Sequence, residues 1–469
     1  MHLKNVILRN FRCFKELSLD LHPRLTVLVA ENGGGKTSVL DGIAIGLAPV
    51  RRYLSSADQR LSAKPGISDN DFHLETFKPD QLPKKCAFTQ IEVETTNEIK
   101  WDKWRAASKG KKPNNKIGQT KLAAYGSNIL ESLKSNKPEL LPVFAYYGAK
   151  RGWVTIPTAQ YSTKIDFNQP ASALAGALES LSDFKNMLKW FDLEEIAELR
   201  TNKGCKPEDY QESDSLTSVR AAVALVLGDI YKNPHFDSQH KFVVESKTGP
   251  NLLQVSQLSQ GYQSMLALAM DFARRLALAN KHLDFNNIFD FPEINEYIGK
   301  SKTDKESNWN TNETDIGSLT ALAPAIMLVD EIDLHLHPSW QQRVLDDLMR
   351  AFPGTQFIVT THSPQVLTTV PSESIRVLED GKVYAAPPGS EGAESSRVLK
   401  RILGVNSRPL ENEATRELNE YLKLVDNDQW NSDQALELRK KLDERYQNEE
   451  PALLEADLHI ENRKWEMEE

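Results

Sequence analysis

The stretch "AENGGGKT", Ala30 to Thr37, carries the densest chemical signal in the chain. A Gly-rich run ending in Lys and Thr or Ser suits the cradling of phosphate oxygens. Glycines reach dihedrals that turn backbone N–H groups inward on an anion. On this reading Asn32, Gly33, Gly34, Gly35, Lys36, Thr37 and Ser38 contact a nucleotide. Lys36 would reach the β- and γ-phosphates of ATP, and the Thr37 hydroxyl would bind Mg²⁺. Ala30 replaces the first glycine of the pattern, at the strand exit. The plainer alternative is a Gly-rich turn, and the strand before it and helix after it favour the phosphate site.

A second signal is "AIMLVDEIDLHLHP", residues 325–338. An apolar strand ending in two acids places Asp330 to hold Mg²⁺, mostly through water. Glu331 is then the general base that polarises the attacking water. His335 and His337 beside Asp333 form an H-x-H pattern that could ligate Zn²⁺, but we read it as the turn after the catalytic acid, near a subunit interface. In "QFIVTTHSPQVL", residues 356–367, His362 ends another apolar strand. There it could bond the γ-phosphate or the attacking water and report hydrolysis. The competing reading is a capping or core histidine, because Ser363-Pro364 also suits a helix start. The heptapeptide "LSQGYQS", residues 258–264, is by itself a capped helix start. Ser259 suits the N-cap and Gly261 leaves the helix end open to an anion.

Three kinds of element must position these groups. "LKNVILRNFRCFKELSLDL" alternates apolar and polar residues, as two antiparallel strands do. "RLTVLVA", "VFAYY", "AIMLVD" and "QFIVTT" are short apolar runs that read as buried strands. Residues 170–235 read as mostly helical, and "FVVESKTGPNLLQV" as a hairpin. "SIRVLEDGKVYAA" carries a "DGK" hairpin turn. The segment 107–118, "ASKGKKPNNKIG", is a basic loop. The expected organisation is an N-terminal lobe over 1–155 and a helical insertion over 156–240. A second lobe follows over 241–392, with a polar, mobile insertion at 284–318, and a charged helical extension over 393–469.

Composition narrows the class. The 469 residues suffice for one large domain with insertions, or two or three smaller ones. A net charge of −9 excludes wholesale coating of nucleic acid, though not a local basic patch. Cys13, Cys86 and Cys205 are scattered and form no CxxC pair, as expected in a reducing compartment. No run of about 18 apolar residues appears. We expect a cytoplasmic protein without membrane contact.

The order P-loop, "LSQGYQS", "LVDEID", "TTHSP" resembles the ABC-type ATPases, in the branch that holds SMC, RecF and OLD-like proteins. That resemblance implies an α/β fold: a two-lobed head, with a mixed sheet and a parallel-sheet P-loop core, plus a helical insertion and a helical C-terminal extension. It implies ATP and Mg²⁺ as cofactors, and hydrolysis to ADP and phosphate. It also implies a homodimer or higher homo-oligomer. In such a dimer Ser259, Gln260 and Gly261 of one protomer contact ATP held by Lys36, Thr37, Asp330, Glu331 and His362 of another. No glutamine follows "FAYYGAK", where the family places one, and neither a long coiled-coil arm nor an acidic C-terminal nuclease is evident. More narrowly, "VFAYYGAKRGW", "DEIDLHLHP" and "LGVNSRPLENEATRELNEYLKLVD" resemble the ATPase subunit of the Septu anti-phage system. That implies an HNH endonuclease partner on a separate chain, and leaves contact with nucleic acid through the complex open. The alternative is a RecF-like DNA-repair ATPase, for which the basic loop 107–118 speaks.

Overall fold

The alternation at the N-terminus produces two paired strands, β1 (Leu3–Phe11) and β2 (Phe14–Asp20), with Val6 opposite Leu19 and Leu8 opposite Leu17. These four side chains are buried, so one face of the ribbon is core and the other faces water. The computed structural model describes every residue except 56–59, 63, 76–83, 136, 153–165, 168, 180–183, 229, 248, 250–251, 284–290, 292–293, 295–318, 448 and 469. The polar insertion expected at 284–318 therefore lies almost wholly outside the described residues.

Strand β3 (Leu25–Ala30) is buried along its length and ends where the Gly-rich loop begins. Helix α1 (Lys36–Tyr53) follows that loop. The small strands β4 (Leu74–Glu75) and β5 (Lys84–Lys85) pair with each other. Strands β6 (Phe88–Thr95) and β7 (Lys100–Ala106) extend the first ribbon into an antiparallel sheet of order β2-β1-β6-β7. Helix α2 (Thr120–Lys134) leads to β8 (Val143–Tyr147).

Helices α3 (Phe184–Thr201) and α4 (Asp214–Leu227) occupy the region read as helical. The helical reading ran too far, however. Tyr231–Phe236 is a strand, β9, paired with β10 (Phe242–Ser246). Its sequence is polar and contains Pro234, and the pairing with β10 shifts register between Val243 and Glu245. Tertiary pairing overrides a weak local pattern there. Strand β11 (Leu252–Gln254) completes the small sheet and leads to helix α5 (Gln260–Ala279).

The central sheet combines distant segments. Its order is β15-β14-β3-β13-β12-β8, with β12 (Ala325–Val329), β13 (Thr355–Thr360), β14 (Ile375–Glu379) and β15 (Lys382–Ala385). Five strands run parallel and the edge strand β15 is antiparallel. The β14–β15 turn is the expected hairpin: Asp380 and Gly381 both have positive φ, 50° and 72°. Parallel strands buried on both faces explain the continuous apolar runs. The architecture is α/β, a parallel-sheet core beside an antiparallel sheet.

The chain forms two compact units, Met1–Ser395 and Ser396–Glu469. The second is helical, with Glu413–Asp426, Asp433–Tyr446 and Pro451–Glu468 packed around Leu418, Tyr421, Leu438, Leu442 and Leu453. Among the described residues, no helix is long and apolar enough to cross a membrane.

Candidate functional site

The parallel strands β3, β13, β12 and β8 end on one edge of the central sheet, at Ala30, Thr360, Val329 and Tyr147. In open α/β sheets that edge is where ligands bind. The register places the Gly-rich loop, the two acids and His362 there together.

The loop is shaped by its glycines. Gly33 and Gly35 have φ of +84° and +91°. A side chain at Gly35 would also meet the Phe14 ring at 2.5 Å and the Cys13 sulfur at 2.7 Å. Gly35 is the N-cap of α1 and offers no side-chain cap, so the first N–H groups of the helix stay free to face an anion. Lys36 is buried, and its Nζ donates to the carbonyls of Ala30 at 2.8 Å and Glu31 at 3.3 Å. Burial holds its ammonium below the usual lysine range, opposed by Asp330, Glu331 and Asp333. A buried cation with only carbonyls as hydrogen-bond partners is ready for phosphate oxygens. Asn32, Gly33 and Thr37 are exposed, and Ser38 is half-buried.

Thr37 Oγ1 donates to Asp330 Oδ2 at 2.9 Å across 293 residues of sequence. The other carboxylate oxygen accepts from Thr360 Oγ1 at 2.7 Å. Thr360 Oγ1 in turn accepts from the Glu331 N–H at 2.7 Å. One threonine thus fixes both acids. The Asp330 N–H donates to the Tyr147 carbonyl at 2.8 Å, which continues the ladder past β12. Glu331 itself sits at φ 50°, in the left-handed region that non-glycine residues adopt at a cost. Its side chain is half-buried. His362 follows β13, half-buried, before a short helix capped by Ser363. Hydroxyl and carboxylate oxygens at Thr37 and Asp330 are the donor set that Mg²⁺ prefers.

Ser259 caps α5 as expected, with its Oγ accepting from the Tyr262 N–H at 3.5 Å. Ser259 and Gln260 are exposed. Gly261 has a reason beyond leaving the helix end open. A Cβ there would lie 2.5 Å from the His335 carbonyl oxygen. Close packing on the turn after the acids demands glycine, and Tyr262 stacks edge-on against Trp340 at 4.7 Å in the same contact. The stretch 258–264 and the turn after the acids are therefore in direct contact. His337 caps the helix Pro338–Gln341, with its ring nitrogen bonded to Ser339. Among the described residues no group of three metal-ligating side chains is present.

Sequence reasoning missed two networks. Tyr146 donates to Asp41 at 2.9 Å, and Arg12 bridges Asp41 and Asp71. This ties β8, α1 and the β1–β2 turn beside the loop. Tyr147 donates to Asp271 on α5 at 2.9 Å, and Asp271 pairs with Arg274 at 2.6 Å and Arg275 at 2.8 Å. Arg275 also donates to the carbonyls of Ala173 and Ala175. Burial pushes both phenols up, so each stays a donor. The double tyrosine of "VFAYYG" carried this signal, with one ring for each side of the sheet.

Several known proteins are similar to this chain. A family model described as "AAA domain" matches residues 5–218. A second, "AAA domain, putative AbiEii toxin, Type IV TA system", matches residues 191–368. The chain is 29% identical to the "Retron Ec83 probable ATPase" of Escherichia coli, over 99% of this chain and 88% of that protein. It is 30% identical to the Septu protein PtuA of Bacillus thuringiensis over 25% of this chain and 31% of that one. It is also 30% identical to the DNA replication and repair protein RecF of Lactococcus lactis subsp. cremoris (strain SK11), over 29% of this chain and 35% of that one. The last two similarities span about a third of the relative. With the motif order and the sheet that joins them, these matches support an ATPase that is similar to a retron ATPase over nearly its whole length and to Septu PtuA and RecF over shorter stretches.

Proposed function

We propose that the chain is the ATP-hydrolysing regulatory subunit of a bacterial anti-phage defence complex, and that its nucleotide state gates a separate HNH endonuclease. The observation that carries this reading is the split between two surfaces. Lys36, Thr37, Asp330, Glu331 and His362 share one sheet edge, while the helix end with Ser259 and Gln260 is exposed. A second copy of the chain supplies the missing half of each site. Ser259, Gln260 and Gly261 then face the γ-phosphate held by the partner protomer.

In that composite site Lys36 and the loop N–H groups bind and orient the phosphates. Thr37 and Asp330 would hold Mg²⁺, whose charge neutralises the phosphate oxygens when it is bound. Glu331 takes the proton of the attacking water, and His362 bonds the γ-phosphate or that water. Thr360 keeps the two acids in register. Hydrolysis removes the group that bridges the two protomers, so the closed dimer is the ATP state. Similarity to a retron ATPase and to PtuA supports the defence setting. Purified with its nuclease partner, the protein should restrain nucleic-acid degradation at high ATP and release it as ATP falls. Equal degradation at every ATP level would refute the gating.

A second reading, a RecF-like DNA-binding ATPase, draws on the loop 107–118. Lys109, Lys111, Lys112 and Lys116 lie there, and Lys116 stacks over Trp104 at 4.6 Å. DNA-stimulated hydrolysis that weakens steeply with salt would favour it.

A further inference from the structure

The C-terminal unit presents an apolar stripe that its own core does not use. Helix Pro451–Glu468 buries Leu453 and Ala456 against Leu418, Tyr421 and Leu442. On other faces of the same helix Leu454 is 51% exposed, Leu458 62% and Trp465 77%. At about 100° per residue these three positions fall within about 40° of one another. They form one line running along the helix, in a unit whose core is already complete. Scattered exposed leucines need no explanation, but a line of three ending in a bare tryptophan is the pattern of a binding face.

Charge selects the occupant. Residues 413–469 hold 8 Lys and Arg against 17 Asp and Glu, a net −9 that equals that of the whole chain. Glu461 lies in the line between Leu458 and Trp465, and Glu455 flanks it. Both are exposed. Among the described residues neither is held in an ion pair, whereas Asp457 is taken by Arg439. Two such stripes brought face to face would oppose acid to acid, which disfavours a second copy as the occupant.

We infer that this face docks a cationic amphipathic helix of a different protein, with apolar anchors at i, i+4 and i+11 and Lys or Arg opposite Glu461 and Glu455. Such a helix covers the three apolar side chains and neutralises the two acids together. The inference does not depend on ATP gating, because no residue in it belongs to the nucleotide site.

The test uses the full-length protein and a fluorescein-labelled Leu/Lys amphipathic peptide of about 18 residues, with a scrambled isomer of equal composition. Fluorescence anisotropy should show the amphipathic peptide binding about tenfold or more tightly than the scramble. The double variant Leu458→Ser/Trp465→Ser should lose that preference with an unchanged thermal melt. The variant Glu455→Gln/Glu461→Gln should weaken binding and flatten its salt dependence. Equal binding of the two peptides would reduce the effect to charge adsorption and overturn the proposal. So would an unaffected Ser variant. A concentration-dependent dimer that Leu458→Ser/Trp465→Ser abolishes would overturn it in favour of a second copy.

Discussion

Glu331→Gln should lower ATP turnover by about 10²–10⁴-fold while leaving ATP binding intact. The amide keeps the size and hydrogen bonds of the carboxyl but cannot take the proton of the attacking water. The backbone that positions it stays fixed, because the Glu331 N–H is held by Thr360 and not by its own side chain. Asp330 and Lys36 are untouched, so nucleotide affinity should change little. Blocked hydrolysis should also trap the closed state, so the variant should form more dimer in ATP than the wild type does. Steady-state phosphate release and equilibrium binding of a fluorescent ATP analogue separate the two effects. Equal turnover in variant and wild type would mean that Glu331 is not the base.

Asp271→Ala should destabilise the Met1–Ser395 unit by about 3–5 kcal/mol, the range for breaking a buried ion pair from one side. Asp271, Arg274 and Arg275 are each 2% exposed or less, so removing the acid leaves two buried guanidinium groups short of their carboxylate. It also frees Tyr147, whose carbonyl holds the Asp330 N–H. Turnover should therefore fall with stability, although Asp271 touches no nucleotide residue. Burial pushes the Asp271 carboxyl up, but Arg275 and Arg274, with hydrogen bonds from Arg275 and Tyr147, outweigh it and bring it down to about 2. A folded value below the unfolded one gives stability that is present above about pH 4 and is lost as pH falls towards 2. Chemical denaturation of wild type and variant from pH 7 to 3 checks both points. The gap between them should hold at neutral pH and narrow on the acid side. A gap below about 1 kcal/mol at pH 7 would mean that the arginines find other partners.

The Gly-rich loop and the two acids at the sheet edge were legible because their signals are local. "GGGKT" must be Gly-rich to turn its N–H groups, and "LVDE" must leave a buried strand to reach the edge. The strands beneath them were legible for the same reason, as short apolar runs between polar turns. The networks that fix these residues were not. Tyr147 and Asp271 lie 124 residues apart, and only the packing of α5 on β8 brings them together. Arg274 and Arg275 are two charges in an otherwise apolar helical run, and no local pattern shows that both are buried. Thr360, two residues before His362 in "TTHSP", carries no motif signal of its own, because its two bonds go to acids 30 residues away or nearly so. Gly261 suggested an open helix end, whereas its immediate demand is the His335 carbonyl against it. Strand β9 was lost because Pro234 and polar neighbours mask a pairing that only β10 supplies.

The central claim is that each ATP site is built from two protomers, and mixing two inactive variants tests it. On this account Lys36→Ala disables the phosphate loop, and Ser259→Arg disables the helix end at 259–261 that the other protomer offers. Each alone should be inactive, with ATP binding kept only in Ser259→Arg. In a mixed dimer one site takes both lesions and the other takes none. An equal mixture should therefore recover about a quarter of wild-type turnover, since half the dimers are mixed and each has one intact site of two. Turnover no higher than that of either variant alone would contradict a site shared between protomers.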